Sequence, residues 1–397
     1  IGAQLNLIDV RQNEEGDYIP QMIVLEPDYL IDASSLAECF QDYGRAHYHF
    51  FRRKFEQTPN SHYILMGNLA NFFLDELIYA DDIENVDFQS SFLKAFKQTP
   101  FEFTSCVDIK SPSDFRLFMK KAETQFNNIK RTIKNDFATN GYHSHHAILE
   151  PSFFSEKYGI QGRLDAFQLP ENESDLYRII ELKSGGLPYP KTDPSRIASN
   201  HESQTAIYRL IIRSVFQIDN RNINSAILYS ASENQGENLR FSAPYLQLEK
   251  EIINLRNLII ATEHDLYSGD AEVVDRLFRQ MLNVDNYNNA KIPQFFVDRL
   301  SDLDKVLVKS SELEKKYFFR FVSFLARELY IQKVGDEGFE SSRSISALWN
   351  TEFAERQESF DLISDLEIEE IDESDLDMKI RFKRLNTDSF VNFREGE

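Results

Sequence analysis

Apolar residues recur at helical spacing over much of the first 140 residues. The pattern predicts a helix over residues 68–80 and a longer one over residues 113–136, which is markedly basic. A serine-capped helix is predicted over residues 34–51, after a short apolar run at residues 21–25 that indicates a strand. The first part of the chain should therefore be mainly helical.

The pattern changes from about residue 146 to apolar runs separated by turn residues. Strands are predicted over residues 160–169, 176–183 and 223–231. A helix over residues 201–216 separates the second strand from the third. A strand, a helix and a strand in this order form a unit with two parallel strands.

Helical spacing returns in the last third of the chain, and strand-like runs come after it. Helices are predicted over residues 245–267, 271–282 and 313–332, and strands over residues 362–371 and 378–385. We interpret the last two runs as the start of a further domain that continues in a longer parent protein.

Composition shows a chain that can bury a large core. The 397 residues are 42% hydrophobic and 13% aromatic, which favours two or three folded units over disorder. The net charge is -21, and residues 352–377 hold twelve acids and one base, so this segment alone carries -11. The negative charge therefore argues against a polyanionic partner such as nucleic acid mainly for the acidic segment, and less for the rest of the chain.

Two cysteines, Cys39 and Cys106, are too few for a disulfide framework or a four-thiolate cluster. We expect buried apolar thiols in a cytoplasmic protein. No apolar run reaches the length of a membrane span, and no phosphate-cradling G-x-x-x-x-G-K-[ST] loop is present. The ATPase chemistry of such a loop is thus excluded for these residues.

The chemically most informative residues are Asp165, Glu181 and Lys183. The twofold period of a strand places Glu181 and Lys183 on one face, at the end of an apolar run where unpaired charges are costly. Carboxylates are hard ligands suited to magnesium or manganese. Gly162 is a candidate for close approach of the backbone. The alternative is an ordinary surface strand with alternating charges, since an acid-x-Lys triplet also occurs by chance.

The helix after this strand carries Gln204 and Tyr208. Their separation of four residues places both on one helical face, with His201 one turn earlier on a similar face. Either residue is also compatible with a simple packing role.

Together these residues resemble the PD-(D/E)XK nuclease superfamily, in its RecB-like branch. The order G-x-x-D, then (D/E)-x-K, then Q-x-x-x-Y is that of Gly162 to Asp165, Glu181 to Lys183 and Gln204 to Tyr208. Residues 150–165, 181–185 and 255–257 are most similar to the nuclease domain of replication-associated nuclease-helicases. The resemblance covers residues 20–265, and residues 317–330 and 392–396 are similar to the family's connector and barrel.

The resemblance implies an α/β fold, in which a central mixed sheet is flanked by helices and carries helical insertions. It implies three regions: a nuclease domain over residues 1–270, a helical connector over 271–335, and an acidic β-rich segment over 336–397. The implied activity is metal-dependent cleavage of single-stranded or flap DNA in replication or repair. An ATPase or helicase region is then expected in the same parent chain.

The resemblance also assigns roles to individual residues. It implies catalytic roles for Asp165, Glu181, Lys183, Gln204 and Tyr208. The divalent metal is held by Asp165, Glu181 and the backbone carbonyl of Leu182. The family commonly has a metal-binding histidine in a G-x-x-x-H pattern, and Asn71 stands at that position here. An amide binds a hard cation more weakly, so a nuclease-fold binding or scaffold module with a weakened metal site is the alternative.

Two further sets of residues complete the expectations. The iron-sulfur cluster of eukaryotic relatives needs four cysteines, so none is predicted here. His143, His145 and His146 are interpreted as a solvated loop in preference to a metal site.

DNA is expected to contact the basic residues, namely Arg52, Arg53, Lys54, Lys120, Lys121, Lys130 and Arg131. An interaction domain that docks a basic partner on the acidic segment is a third hypothesis.

Overall fold

The chain forms two compact units, Ile1–Arg327 and Glu328–Glu397. A computed structural model describes residues 3–172, 175–193, 195–232, 237–269, 271–287, 291–335, 344–358, 362–372 and 379–385. The predicted motif at residues 392–396 lies outside these ranges, as do residues 359–361 and 373–377 of the acidic segment.

The described strands are mostly short. They are β1 (Leu5–Ile8), β2 (Arg11–Gln12), β3 (Tyr18–Ile19), β4 (Met22–Leu25), β5 (Ile31–Asp32), β6 (Phe40–Gln41), β7 (Gly44–Arg45), β8 (Ala147–Leu149), β9 (Ser152–Ser155), β10 (Ile160–Arg163), β11 (Ala166–Gln168), β12 (Tyr177–Lys183), β13 (Ile223–Tyr229), β14 (Leu239–Ser242), β15 (Leu366–Asp372) and β16 (Lys379–Arg384).

Helices make up much of the rest. They are α1 (Ala33–Ala37), α2 (Tyr48–Phe55), α3 (His62–Ile78), α4 (Phe88–Gln98), α5 (Pro100–Thr104), α6 (Pro112–Thr132), α7 (Ser199–Phe216), α8 (Leu246–Ser268), α9 (Ala271–Leu282), α10 (Gln294–Lys309), α11 (Glu312–Val334), α12 (Ala347–Asn350) and α13 (Phe353–Glu358). The fold class is therefore mixed α/β. Among the described residues, no helix combines the length and the apolar composition needed to cross a membrane.

A five-stranded mixed sheet is the centre of the first unit. Its order is β14-β13-β12-β11-β8, with β12 and β13 parallel and the other pairs antiparallel. Helix α7 connects the two parallel strands, which confirms the predicted strand-helix-strand unit. Both strands are almost fully buried, as parallel strands covered on both faces are.

A smaller sheet lies beside the central one. Strand β10 pairs in parallel with β5 and antiparallel with β9. The cluster of buried side chains under the central sheet combines Phe73 of α3, Phe92 of α4 and Phe126 of α6 with Ile180 of β12. These helices therefore cover one face of the sheet and fix the end of β12 against the helical layer.

The predicted helix over residues 34–51 is wrong. The chain forms the short α1, a β6-β7 hairpin and then α2, and Asp32 rather than a serine caps α1, since its Oδ1 accepts from the amides of Ser34 (3.0 Å) and Ser35 (3.1 Å). The interruption coincides with the turn at Asp42, whose carboxylate accepts from the amide and hydroxyl of Ser199. Tertiary contacts thus decide against a continuous helix.

The predicted strand pair near the C-terminus forms an antiparallel hairpin of β15 and β16 in the second unit. Helices α9 and α10 belong to the first unit. The proposed boundaries at residues 270 and 336, and the continuation into a barrel, stay predictions.

Candidate functional site

Asp165 lies in the short break between β10 and β11, beside the end of β12. Because β11 pairs antiparallel with β12, with Ala166 opposite Ile180, the residue before β11 comes next to the residues after Ile180. The backbone amide of Leu182 donates to Asp165 Oδ2 at 2.6 Å. The single strand predicted over residues 160–169 is therefore wrong, because the strand is broken between Arg163 and Ala166 and Asp165 lies in the break.

Glu181 and Lys183 share one face of β12, as the strand period predicts. Lys183 Nζ lies 2.7 Å from Glu181 Oε1, and the Glu181 side chain is buried. Lys183 Nζ also donates to Gln204 Oε1 at 2.8 Å. The ammonium group is thus held between a strand and a helix.

Helix α7 supplies the remaining predicted side chains. Gln204 Nε2 donates to the hydroxyl of Tyr208 at 2.9 Å, and that hydroxyl donates to the carbonyl of Arg163 at 2.8 Å. The chain of hydrogen bonds therefore runs from the end of β10 through Tyr208 and Gln204 to Lys183. Four of the five side chains that the motif singled out are linked by these hydrogen bonds, and Asp165 is held beside them by the Leu182 amide.

Burial and charge shift the proton affinities in the cluster. Burial, together with the neighbouring Glu181 carboxylate, raises the pKa of Asp165 well above its usual value. Burial by itself would lower the pKa of Lys183, but the attraction of the Glu181 carboxylate is stronger. The pKa of Lys183 is therefore raised. Burial raises the pKa of Tyr208 strongly, so its hydroxyl stays a donor at neutral pH. Burial and Lys183 lower the pKa of His201 to about 3, which keeps it neutral.

One carboxylate oxygen of the cluster is left without a partner. Glu181 Oε2 is buried and receives no hydrogen bond from an amide, a hydroxyl or a cation. The Asp165 carboxylate lies close enough to Glu181 for the two side chains to share a proton when Asp165 is protonated. An orphaned buried oxygen beside a second carboxylate fits a hard divalent cation. Within the described residues, no three His, Cys, Asp or Glu side chains form a metal cage, so further ligands would come from amides, carbonyls or solvent.

Helix α3, which carries Asn71, passes the end of β12. A Cβ atom at Gly67, one turn before Asn71, would lie 3.7 Å from Ser184 Oγ. Asn71 itself is half-buried, and its role as a metal ligand stays a prediction. One turn further along, burial and the Glu150 carboxylate raise the pKa of Asp75 to about 7. The sequence reasoning did not single out Asp75.

Buried polar side chains of α6 fix the end of β12, and the sequence reasoning missed them too. Gln125 Nε2 donates to the carbonyl of Ser184 at 3.0 Å, and Asn128 Nδ2 donates to the carbonyl of Ser230 at 2.8 Å. The hydroxyl of Ser230 donates to Gln125 Oε1 at 2.6 Å. The sequence indicates these two residues only as a pair of amide side chains, three residues apart, on a helix face that is otherwise apolar.

Most of the seven predicted DNA-binding residues make internal contacts. Arg52 and Lys54 pair with Glu56 and Glu263, and Arg53 lies 3.5 Å from Glu38. Two more bind backbone or amide oxygens: they are Lys130, which donates to the carbonyl of Val86 at 2.8 Å, and Arg131, which donates to Asn238. Lys120 and Lys121 are exposed.

The remaining clusters agree with their structural interpretations. Cys39 and Cys106 are buried free thiols, as predicted. His143 and His146 lie 4.0 and 3.8 Å from the Glu171 carboxylate in exposed positions. His145 is exposed as well, so the three histidines lie in a solvated loop, as predicted.

We find no protein-family model that matches the chain, and no curated protein that resembles it. A crystal structure of a "putative exonuclease" from Eubacterium rectale is similar over 59% of this chain and 79% of that chain, with 14% sequence identity and a TM-score of 0.35. A likeness of this strength carries no argument about fold or activity. The side-chain cluster therefore has to support the function by itself.

Proposed function

We propose that the protein is a PD-(D/E)XK-type nuclease of the RecB-like branch, which hydrolyses phosphodiester bonds of single-stranded or flap DNA with magnesium or manganese. The observation that carries the proposal is the orphaned Glu181 Oε2 beside Asp165, within reach of an ammonium group. Two carboxylates and a lysine at this spacing supply the groups that phosphodiester hydrolysis requires.

Each member of the cluster has a role that its contacts support. Asp165 and Glu181 would hold the cation, which when bound lowers the pKa of water and neutralises charge on a phosphate. The Leu182 amide fixes the Asp165 carboxylate. Lys183 offers its charge to a water or a phosphate oxygen, and Gln204 orients it. Tyr208 positions Gln204 and touches neither carboxylate in the described contacts.

The setting of the activity is proposed from the sequence motif. Residues 150–165 and 181–185 are those most similar to nuclease-helicases, which act on single strands and flaps in replication and repair. We therefore propose an ATPase or helicase region in the same parent chain. A nuclease-fold binding module is the second candidate, because an asparagine stands where the family has a histidine on α3.

The proposal is tested by calorimetry with manganese and by cleavage of a labelled single strand. We expect metal binding, and metal-dependent cleavage that falls by at least about a hundredfold in Asp165→Asn and in Lys183→Ala. Asp219→Asn, which changes an exposed carboxylate, is the matched control. Absence of binding heat at millimolar manganese, with the protein folded, would reject the metal site. Metal binding without cleavage would favour the binding module.

A further inference from the structure

Helix α11 exposes a stripe of large apolar side chains. Four of them, Leu313, Tyr317, Phe321 and Phe324, succeed one another at helical spacing and are 78, 71, 45 and 52% exposed. We call these four residues the α11 stripe. Exposed apolar side chains that form a continuous patch indicate a binding surface more often than isolated ones do.

The stripe is not required to hold the helix in place. The opposite face of α11 is anchored by Phe319, whose ring centroid lies 5.8 Å from that of Phe278 on α9, and by the buried Val322. Phe318 also packs on Phe278, at 5.5 Å. The fold therefore buries one side of α11 and leaves an aromatic surface on the other.

The rings of Tyr317 and Phe321 are parallel, and the ring of Phe324 is tilted from them by a moderate angle. The rings of Tyr317 and Phe321 have centroids 6.2 Å apart and planes within 6° of each other, and Phe321 and Phe324 lie 6.1 Å apart at 28°. Planar surfaces with a common orientation suit planar ligands, because each ring offers a face for stacking.

Cations border the stripe on one side. Lys316 and Arg320 are exposed, and the Arg327 guanidinium lies 5.8 Å from the ring of Tyr267. The nearby acids at the start of the helix have local partners: Glu312 accepts from Lys315 at 3.3 Å, and Glu314 accepts from the Ser311 amide at 2.7 Å. Lys316, Arg320 and Arg327 therefore bring three cations beside the rings, while Glu314 and the exposed Glu328 are the acids of α11 that have no cationic partner in the described contacts.

We infer that the α11 stripe binds single-stranded nucleic acid, with unpaired bases stacked on Tyr317, Phe321 and Phe324 and phosphates beside Lys316 and Arg320. Rings for bases and flanking cations for the backbone are the two components of sequence-independent single-strand binding. The inference rests on the proposed function for its choice of ligand. A protein partner would use the apolar area but would have no need for the parallel rings.

Fluorescence anisotropy of a labelled 20-nucleotide oligothymidylate, in EDTA so that no cleavage occurs, tests the inference on the full chain. The double variant Tyr317→Leu/Phe321→Leu keeps apolar bulk and removes the ring faces, and we expect its Kd to rise about tenfold or more. Tyr317→Trp should bind at least as well as the parent. The control Tyr79→Leu/Phe101→Leu removes two exposed aromatic rings elsewhere and should not change Kd.

Several outcomes would overturn the inference. These are no binding by the parent protein at micromolar concentration, an unchanged Kd in the leucine double variant, or an equal loss in the control. A loss of self-association on sedimentation of Tyr317→Ser/Phe321→Ser, with unchanged Kd, would assign the stripe to a protein contact. If the stripe does not bind but Asp165→Asn abolishes cleavage, only the inference fails. If the stripe binds but the parent cleaves nothing with manganese, only the proposed function fails.

Discussion

At the scale of single residues, the site is defined by charges that are paired incompletely. Lys183 neutralises one oxygen of Glu181, while the other oxygen is buried without a partner. A buried carboxylate oxygen without a hydrogen bond costs stability, and a bound ion or water is one way in which such an oxygen is satisfied. The cation proposed above would therefore remove a local cost that the metal-free protein carries.

Asp75 gives a pH-dependent test of the environment beside this site. Its pKa is about 7 in the folded protein and about 4 when unfolded, so it stabilises the fold at low pH and that contribution is lost as the pH rises through 7. Asp75→Asn should therefore be more stable than the parent at pH 8, by on the order of 1 kcal/mol because the side chain is partly exposed. Urea unfolding at pH 5 and pH 8 measures the difference.

Asp81→Asn is the control for this prediction, because it removes an exposed carboxylate from the loop after the same helix. It should leave the pH dependence of unfolding unchanged. An Asp75→Asn variant that loses stability at pH 8, or gains equally at both pH values, would contradict the expected burial of the charge.

Gly162 is a position where adding a single methyl group should disturb the cluster around Lys183, Gln204 and Tyr208. A Cβ atom there would lie 2.8 Å from the ring of Tyr208 and 2.9 Å from the Cβ of Ala33. Gly162→Ala should therefore cost about 1 to 3 kcal/mol of unfolding free energy and reduce cleavage, because Tyr208 must move. Gly186→Ala has open space around its Cβ and is the matched control. Equal melting temperatures for both variants would refute the close approach.

At the scale of secondary-structure elements, helix α8 fastens the N-terminal strands to the smaller sheet. Arg256 is fully buried, and its guanidinium donates to the carbonyls of Gly159 (3.0 Å), Glu26 (2.7 Å) and Tyr29 (2.9 Å), and also to that of Leu25. Burial lowers the pKa of Arg256 to about 9, so the side chain is still charged at neutral pH. Gly159 leaves room for the guanidinium, since a Cβ atom there would collide with it.

Arg256→Met should destabilise the protein by at least about 3 kcal/mol, because it leaves several buried carbonyls without donors. Thermal unfolding in the absence of metal measures the loss. Arg279→Met is the control: its side chain is 78% exposed and pairs with Asp275 at 2.6 Å, so it should cost less than about 1 kcal/mol. Similar losses in both variants would show that the buried contacts do not hold the N-terminal strands.

At the scale of the whole molecule, the net charge of -21 hides an uneven distribution of free cations. Arg52 and Lys54 form ion pairs within the fold, whereas Lys120 and Lys121 on α6 are exposed. Residues with a local acidic partner have little charge to offer a phosphate. The position of a cation in the fold therefore matters more than its place in a basic run.

Reversing the charge at Lys120 and Lys121 should weaken binding of every DNA sequence about equally, by roughly tenfold at low salt, and should flatten the salt dependence of log K. Anisotropy titrations at several salt concentrations measure both quantities. Arg221→Glu, at a position whose side chain is 83% exposed, is the control and should have a smaller effect. A salt slope that is the same in all three proteins would exclude these two lysines from the DNA path.

The sequence by itself determined the local periodicities and the side-chain placements that those periodicities impose. The apolar runs placed β12, α7 and β13 within a few residues, and the strand period placed Glu181 and Lys183 on one face. The helical period likewise brought Gln204 next to Tyr208. These relations depend on neighbours within about four residues, and for that reason a pattern is sufficient to predict them.

Only the tertiary structure decided which distant groups meet. The pairing of β11 with β12 brings Asp165 to Leu182. A hydrogen bond from Ser199 holds the turn at Asp42 that interrupts the helix predicted over residues 34–51. Basic side chains such as Lys54 form ion pairs within the fold and are not free to bind a phosphate. The same holds for the α11 stripe, because a helical pattern does not show which of two apolar faces is covered. Such outcomes depend on the free energy of contacts between remote segments, and local sequence does not encode them.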